Sequence, residues 1–437
     1  MSATGLPEAF IRAVSERLGD ELPEFLASYD RPAVRGLRMN PAKPVSGEIQ
    51  PEGLLDPIPW ATGGFFLSAE SRAGSHPLHE AGAWYIQDPS AMVPAAVLNA
   101  QPGETVLDLC AAPGGKTTQI AAAMRGQGQL ICNEPVPSRA QVLSRNLERM
   151  GVTNALCVSA WPQDLAKRWP GCFDAVLVDA PCSGEGMFRR VPESRAEWTP
   201  ASPTGCAARQ AEILDAAAGM VRQGGRIVYA TCTLNRTENE YTVAGFLERH
   251  PDYQLKPFAL PEVNAPEGVW TAWPHRFRGE GQFCALLVRS GDELKHPFVS
   301  CDLPLPTKDE QRAVREFCAN TPLPTGQIGG TLVSLPGCPA LRGLKVLRCG
   351  LHLGTLKGKV FHPDHAWAVS AAPPELPRVP LTDTEALRYQ AGETLQVPER
   401  YQGWVLPTLV GLPLGFGKVT NGVMKNHYPK GLRRFAG

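Results

Sequence analysis

Two cysteines stand out because each follows a short apolar run and lies in a small or polar segment. Cys182 comes after the run 175–178, and Cys232 comes after the run 226–230. A single cysteine at the end of a strand is usually a small core residue. Two cysteines in similar loops, after consecutive predicted strands, indicate instead a reaction that needs two thiols.

One such reaction is methylation of cytosine at C5. Addition of a thiolate to C6 makes C5 nucleophilic enough to attack an electrophilic methyl group. Afterwards the C5 proton must leave and the S–C6 bond must break, which requires a second group that transfers protons. We assign the first role to Cys232 and the second to Cys182. A pairing of cysteine with histidine, as in a protease, is less favoured because none of the nine histidines lies in a comparable motif.

Two charged residues are expected beside these thiols. Asp179 would hydrogen-bond the N3 and N4 edge of the cytosine, and Lys116 would add positive charge to the cleft. Taken alone, Asp179 would be interpreted as a strand-end cap and Lys116 as a solvated lysine in the first turn of a helix.

A glycine-containing loop between a predicted strand and a predicted helix indicates a nucleoside-type cofactor. Two glycines let the backbone approach a ligand closely, and the helix N-terminus faces it. Glu134 follows the next predicted strand, where an acid can hydrogen-bond the hydroxyls of a ribose. The loop consists of Cys110, Ala111, Ala112, Pro113, Gly114, Gly115 and Lys116.

Three alternatives remain for this loop. A P-loop nucleotide hydrolase requires glycine where this chain has Cys110, and Pro113 lacks an amide donor. A nicotinamide dehydrogenase requires the spacing G-x-G-x-x-G, which the loop does not have. The third alternative is a glycine turn with a structural role only.

Short apolar runs alternate with helical patterns through the middle of the chain. This alternation predicts an α/β fold with a doubly wound, mainly parallel sheet, whose ligands bind beyond the carboxyl ends of the strands. The strands that precede Cys182 and Cys232 should be neighbours on the side opposite Glu134. Both thiols would then face one cleft together with the cofactor. Predicted strands are 105–109, 129–132, 155–158, 175–178, 226–230 and 284–289, and predicted helices begin near 116, 138 and 204.

Length and patterning suggest three parts, and the neutral charge means that any polyanionic partner must meet a local charged surface. We predict an N-terminal helical, RNA-binding subdomain over 1–64, a catalytic domain over 65–295, a proline-rich linker over 296–306, and C-terminal α+β modules over 307–437. The formal net charge is +0, so a polyanion must be bound by a patch rather than by the whole protein.

Two C-terminal stretches are rich in basic residues and supply candidates for that patch. Aromatic side chains between them could stack on unpaired bases. The alternative interpretation is two solvated strand faces. The basic residues are Arg342, Lys345, Arg348, Lys357, Lys359, Lys418, Lys425, Lys430, Arg433 and Arg434, and the aromatic residues are Trp404, Phe416 and Tyr428.

Other features limit the class of protein. No basic leader or long apolar segment is present, so we expect a cytoplasmic monomer with no membrane contact. The 12 cysteines include no C-x-x-C pair, which removes support for a zinc site, and we expect no bound metal and free thiols.

At the motifs around Cys110, Cys182 and Cys232 the chain resembles the Nop/Sun family of RNA 5-methylcytosine methyltransferases. Within that family it is similar to the RsmF-like branch, which acts on small-subunit 16S ribosomal RNA. The resemblance implies a class I, Rossmann-like methyltransferase fold, a last module similar to a PUA domain, and S-adenosylmethionine as cofactor. Its implied partner is ribosomal RNA, either free or within the 30S subunit.

The resemblance also assigns roles to individual residues. It places Glu134 and Arg139 on the ribose and adenosine side of the cofactor, and the loop 110–116 and Asp179 around the rest of it. Arg38 and Asn40 are similar to an N-terminal Arg-x-Asn element, and we predict that both residues bind RNA. One departure is that 159–162 lacks the acid that often contacts adenine in this family. A noncatalytic RNA-binding protein that keeps the fold is the remaining alternative.

Overall fold

A computed structural model of the chain describes residues 5–45, 50–292, 302–335 and 337–433. The predicted helical spacing at the N-terminus is confirmed, because Phe10, Val14 and Phe25 are buried on one side of two helices. The elements are α1 (Glu8–Leu18), α2 (Leu22–Ser28), β1 (Arg35–Met39), β2 (Leu54–Pro57), β3 (Gly64–Leu67), α3 (Pro77–Glu80) and β4 (Trp84–Gln87). The four strands form a small sheet with the order β2-β3-β1-β4.

The middle of the chain alternates strands and helices, as predicted. Its elements are α4 (Val93–Leu98), β5 (Thr105–Asp108), α5 (Gly115–Met124), β6 (Gln129–Asn133), α6 (Pro137–Arg149), β7 (Ala155–Ser159), α7 (Pro162–Arg168), β8 (Phe173–Asp179), α8 (Ser194–Glu197), α9 (Ser202–Met220), β9 (Val221–Thr231), α10 (Glu240–Arg249), β10 (Tyr253–Leu255), β11 (Phe258–Leu260), β12 (Val263–Ala265), β13 (Val269–Ala272) and β14 (Gln282–Arg289).

The C-terminal part is built mostly from short strands. Part of the predicted linker over 296–306 lies outside the described residues. The elements are α11 (Lys308–Phe317), β15 (Gly326–Ile328), β16 (Thr331–Ser334), β17 (Lys345–Cys349), β18 (Leu351–Lys357), β19 (Val360–Pro363), α12 (His365–Ala368), β20 (Arg378–Pro380), α13 (Asp383–Ala391), β21 (Leu395–Gln396), β22 (Gly403–Leu409), β23 (Leu412–Pro413), β24 (Gly417–Thr420) and β25 (Val423–Asn426).

The central sheet has the order β10-β14-β9-β8-β5-β6-β7-β17, with β13 paired to β14. Strands β5 to β9 are parallel, and β14 adds on in the antiparallel sense. Helices cover both faces of the sheet, so the strands contain continuous runs of apolar residues. Residues 175–178, for example, are completely buried. This confirms the predicted α/β fold and places β8 beside β9, across β5 from β6.

The C-terminal strands form two sheets, with the orders β15-β16-β18-β19 and β20-β22-β24-β25-β21, and β23 pairs with β22. Strand β17 belongs to neither, because it pairs with β7 at the edge of the central sheet. Leu37 and Trp84 of the N-terminal sheet share a hydrophobic core with Tyr389 and Leu414 near the C-terminus. The N-terminal sheet therefore packs against the last C-terminal sheet. None of the helices that the structure describes has the length and apolar character that a bilayer crossing requires.

Candidate active site

The two cysteines singled out by the sequence lie side by side. Asp179 ends β8 and pairs with Ala230 of β9, so the segments after both strands leave the sheet at the same edge. There the Sγ atoms of Cys182 and Cys232 are 3.2 Å apart. Both residues are partly exposed, so the pair is open to a substrate.

The electrostatic surroundings of the two thiols differ. The hydrogen bond with Cys232 and burial raise the pKa of Cys182 well above its ordinary value. On the other side, Lys116 Nζ lies 2.8 Å from Asp179 Oδ2. Burial opposes the charge of Lys116, but nearby anions, Asp179 first among them, raise the pKa of its ammonium above the ordinary value. The charge of Cys232 contributes to this shift, so a thiolate at Cys232 faces a cation.

The glycine-containing loop turns sharply from β5 into α5. Gly114 has φ 113°, a conformation that favours glycine, and a Cβ at Gly114 would approach Leu143 Cδ1 at 3.2 Å. A Cβ at Gly115 would approach the Gln87 side chain at 3.2 Å. The Ala112–Pro113 peptide bond is cis. Ala111 and Ala112 are buried, Cys110 and Lys116 are partly buried, and Pro113 is exposed.

Three carboxylates converge around this loop, one at the end of each of β5, β6 and β8. They are Asp108, Glu134 and Asp179. Burial and then the negative charges of all three raise the pKa of the Cys110 thiol. Burial also raises the pKa of Asp108 to about 7, with further contributions from Asp179 and Glu134. Such a site favours a cationic ligand over a triphosphate, which argues against the P-loop alternative.

Asp108 is a site residue that the sequence interpretation missed. It is 1% exposed, its Oδ2 accepts a hydrogen bond of 2.6 Å from Thr117 Oγ1, and its Oδ1 has no partner among the described residues. Its position as the last residue of an apolar strand before the glycine loop was the available signal.

Glu134 and Arg139 are close together at the end of β6 and the start of α6. Arg139 Nη1 lies 3.3 Å from Glu134 Oε2, and Arg139 Nη2 donates to the carbonyl of Ala112 at 3.2 Å. Glu134 is 2% exposed and its Oε1 accepts from the backbone of Val136. These contacts attach the acid to the glycine-containing loop.

The prediction that Arg38 and Asn40 bind RNA conflicts with the structure. Arg38 is 3% exposed and donates to Gln87 Oε1, Thr118 Oγ1 and the carbonyl of Gly115. Asn40 is 6% exposed and donates to the carbonyls of Gly82 and Met150. Their donors are used within the protein, so both residues hold the N-terminal sheet against the catalytic domain.

Basic residues near the C-terminus lie partly on one surface. Lys418 and Lys425 are exposed and paired across β24 and β25. Burial and then the charges of Lys418, His362 and Lys425 lower the pKa of His427. His362 belongs to the β18–β19 hairpin, whose Lys357 and Lys359 are exposed. We call these six residues the C-terminal basic surface. They come from both C-terminal sheets.

Other members of the predicted patch lie elsewhere. Lys430 is exposed, Arg433 is partly buried, and Arg434 lies outside the described residues. Arg348 is 5% exposed and ion-paired with Glu148. The predicted stacking residues Phe416 and Tyr428 are 2% and 4% exposed, so they serve the core, and only Trp404 is partly exposed, beneath Lys418.

Family models cover most of the chain. The model described as 16S rRNA methyltransferase RsmB/F matches residues 95–288. Three models specific to RsmF match its N-terminal domain at 6–89, its first C-terminal domain at 324–370 and its PUA domain at 376–434.

Curated relatives match over almost their whole length. Ribosomal RNA small subunit methyltransferase F of Klebsiella pneumoniae (strain 342) is 33% identical, with 98% of this chain and 96% of that protein covered. The protein of the same name from Aeromonas hydrophila is 34% identical, with 99% and 98% covered. The chain belongs to the RsmF family. This membership confirms the resemblance to the RsmF-like branch and the prediction of a methyltransferase, and it excludes the nucleotide-hydrolase alternative.

Solved structures similar to this RsmF-family chain share the catalytic fold. A methyltransferase homolog protein from Pyrococcus horikoshii is 26% identical with a TM-score of 0.56, covering 65% of this chain and 96% of that one. NSun6 from Pyrococcus horikoshii, solved with SFG, has a TM-score of 0.53 at 20% identity, covering 66% and 100%. The second likeness concerns the fold alone.

Proposed function

We propose that this RsmF-family chain forms 5-methylcytosine in 16S ribosomal RNA, with S-adenosylmethionine as methyl donor and Cys232 as covalent nucleophile. The observation that carries the proposal is the pair of thiols 3.2 Å apart beside the Lys116–Asp179 ion pair. Methylation of a ring nitrogen or a hydroxyl needs no thiol, whereas C5 of cytosine needs one to be activated and benefits from a second.

The residues around the glycine-containing loop fit S-adenosylmethionine. When bound, this cofactor supplies an electrophilic methyl group on a positively charged sulfur. The carboxylates of Asp108, Glu134 and Asp179 favour that charge, and the unpartnered Oδ1 of Asp108 is ready to accept a hydrogen bond. Glu134 would accept hydrogen bonds from the ribose hydroxyls, and Arg139 holds its carboxylate. The loop 110–115 would let the cofactor approach the backbone closely.

The chemistry of the side chains then follows in two stages. The thiolate of Cys232, stabilised by the charge of Lys116, adds to C6 of a flipped or single-stranded cytosine, and the carboxylate of Asp179 accepts a hydrogen bond from the N4 amino group. C5, now electron-rich, would take the methyl group from the positively charged sulfur of the cofactor, which would leave as a neutral thioether. A Cys232 sulfur that is bonded to C6 carries no charge, which removes the first cause of the raised pKa of Cys182. Cys182 then accepts the C5 proton as a thiolate. The electron pair of the C5–H bond restores the C5–C6 double bond, and the S–C6 bond breaks to return the thiolate of Cys232.

The C-terminal basic surface is the proposed docking area for ribosomal RNA or the 30S subunit. Its cations come from two sheets, and neutralising phosphates with them releases counterions and gives salt-dependent affinity. A monomer acting in the cytoplasm suffices for this scheme, because every site residue comes from one chain.

The decisive experiment uses Cys182→Ala with a small-subunit ribosomal RNA transcript and S-adenosylmethionine. Methyl transfer should proceed and release should fail, so that RNA stays attached to the protein on a denaturing gel. The double variant Cys182→Ala, Cys232→Ala should give no attached RNA. Cys172→Ala, a partly exposed cysteine outside the cleft, is the matched control. Attachment that persisted without Cys232 would contradict the assignment, and a wild-type product other than 5-methylcytosine would contradict the function.

A further inference from the structure

Two buried carboxylates lie directly behind the thiol pair. Glu185 follows Cys182 along the chain and is 2% exposed, and Glu238 follows Cys232 and is 0% exposed. Buried glutamates are rare unless their oxygens are paired. Their partners therefore show what the fold uses them for.

Glu238 accepts hydrogen bonds from the segment that carries Cys182. Its Oε2 accepts from the backbone N–H of Ser183 at 2.9 Å and from Gln210 Nε2 at 2.8 Å. Its Oε1 accepts from the hydroxyl of Ser183 and from Asn235 Nδ2, the latter at 2.7 Å. Ser183 is the residue next to Cys182, so this carboxylate fixes the backbone at the thiol.

Glu185 makes the reciprocal contact. Its Oε2 accepts from the hydroxyl of Thr233 at 2.8 Å and from the backbone N–H of Leu234 at 3.1 Å. Thr233 is the residue next to Cys232. The hydroxyls of Ser183 and Thr233 are themselves 2.9 Å apart. Each carboxylate thus belongs to one thiol's segment and holds the residue that follows the other thiol.

We propose that Glu185 and Glu238 are positioning residues that set the separation of Cys182 and Cys232 for product release. This proposal rests on the proposed function, because it concerns the step in which Cys182 takes the C5 proton while Cys232 is bonded to C6. Neither glutamate touches the thiols by hydrogen bond. They act on the two backbones, and proton transfer is sensitive to misplacement of about 1 Å.

The proposal depends on the carboxylate rather than on the size of the side chain. A carboxylate accepts from every neighbour, whereas the amide of glutamine turns an NH₂ group toward a donor such as the N–H of Ser183. The charge matters as well. The negative charge of Glu238 is one of the causes that raise the pKa of Cys182, so its removal lowers that pKa and shifts the pH profile of release toward acid.

The test is Glu238→Gln in the full chain, with both cysteines intact. Methyl transfer in a single turnover on a small-subunit ribosomal RNA transcript should stay within a few-fold of wild type. Release should slow by roughly 10- to 100-fold, so that RNA attached to the protein accumulates on a denaturing gel and decays slowly. The remaining release should reach its half-maximum at a lower pH than in wild type. Glu185→Gln should also accumulate attached RNA.

Glu248→Gln is the matched control, since Glu248 is an exposed glutamate of α10. If Glu238→Gln does not fold, Ser183→Ala removes one hydroxyl of the same contact and should give a smaller accumulation. Release at the wild-type rate in these variants would overturn the proposal, and so would a parallel loss of methyl transfer and attachment. If Cys182→Ala itself attached no RNA, the covalent function would fail instead.

Discussion

The active-site edge of the central sheet and the C-terminal basic surface use charge in opposite ways. At the edge, charged groups are partly or fully buried and are bound to neighbours within the protein, as Lys116 is to Asp179 and as Glu238 is to the backbone of Ser183. On the basic surface, Lys418 and Lys425 are exposed side by side. Bond making needs fixed atoms, whereas docking of a polyanion needs cations that are free to meet phosphates. The two regions should therefore respond differently to the same kind of substitution.

The largest difference is expected for Cys232→Ser. A serine hydroxyl is a far weaker nucleophile at neutral pH, so the methylation rate should fall by about three orders of magnitude or more. Affinity for the RNA should change less than about threefold, because the basic surface is intact. Rates with tritiated methyl donor and filter binding would measure the two quantities. If the affinity for RNA fell as much as the methylation rate, the active-site edge and the basic surface would not act separately.

Asp179→Asn should come next. The change removes the negative charge that pairs with the Lys116 ammonium and replaces one acceptor oxygen by a donor NH₂ group, so it should lower kcat by roughly 100-fold. Asp164→Asn, in an exposed ion pair with Lys167 on α7, is the control and should be silent. An active Asp179→Asn enzyme would leave the ion pair without a role in the reaction.

A fall in pH should change the stability of the C-terminal sheets and of the central sheet in opposite directions. Burial lowers the pKa of His352 to about 3 and of His365 to about 4. As pH falls through 6.5, these histidines take up a proton in the unfolded chain but not in the folded protein. The free energy of unfolding of the C-terminal sheets therefore falls, by about 2 kcal/mol per histidine at pH 5.

Burial raises the pKa of Asp108 to about 7, so the folded active-site edge binds a proton more tightly than the unfolded chain does. The central sheet should gain about 2 to 3 kcal/mol between pH 7.5 and pH 5. Hydrogen exchange of peptides from β5 and β18, corrected for intrinsic rates, would show whether the two move apart. His365→Gln should flatten the response of the C-terminal sheets, and parallel changes in both regions would contradict these signs.

The smallest effect is expected for the double variant Lys418→Ala, Lys425→Ala. Affinity for ribosomal RNA at 0.1 M salt should fall by roughly 5- to 20-fold, and the slope of log affinity against log salt should shrink by about one to two. Turnover at saturating RNA should be unchanged. Lys256→Ala, at an exposed lysine of the catalytic domain, is the control. An unchanged salt slope would show that RNA docks elsewhere.

Local patterns were enough to predict β5, β6, β7, β8, β9 and β14 of the central sheet, the glycine-containing loop and the meeting of Cys182 with Cys232. Each depends on an apolar run and on the residues directly after it, and parallel strands bring their carboxyl ends to one edge. Strands β10, β13 and β17 of the same sheet were not predicted. Exposure was harder to predict. Arg38, Arg348 and Tyr428 resemble surface residues in the sequence but are buried, because their partners come from distant segments. Glu185 and Glu238 were missed for the same reason, since their reciprocal contacts exist only after the sheet has formed.

Strand β17 has a consequence for dissecting this chain. It pairs with β7 at the edge of the central sheet, although it lies far from β7 in the sequence. A fragment that stops at residue 292 would leave the outer amides and carbonyls of β7 without hydrogen-bond partners. An exposed edge strand of this kind pairs with strands of other molecules. We expect that fragment to self-associate in light scattering, because its central sheet needs β17 to be complete.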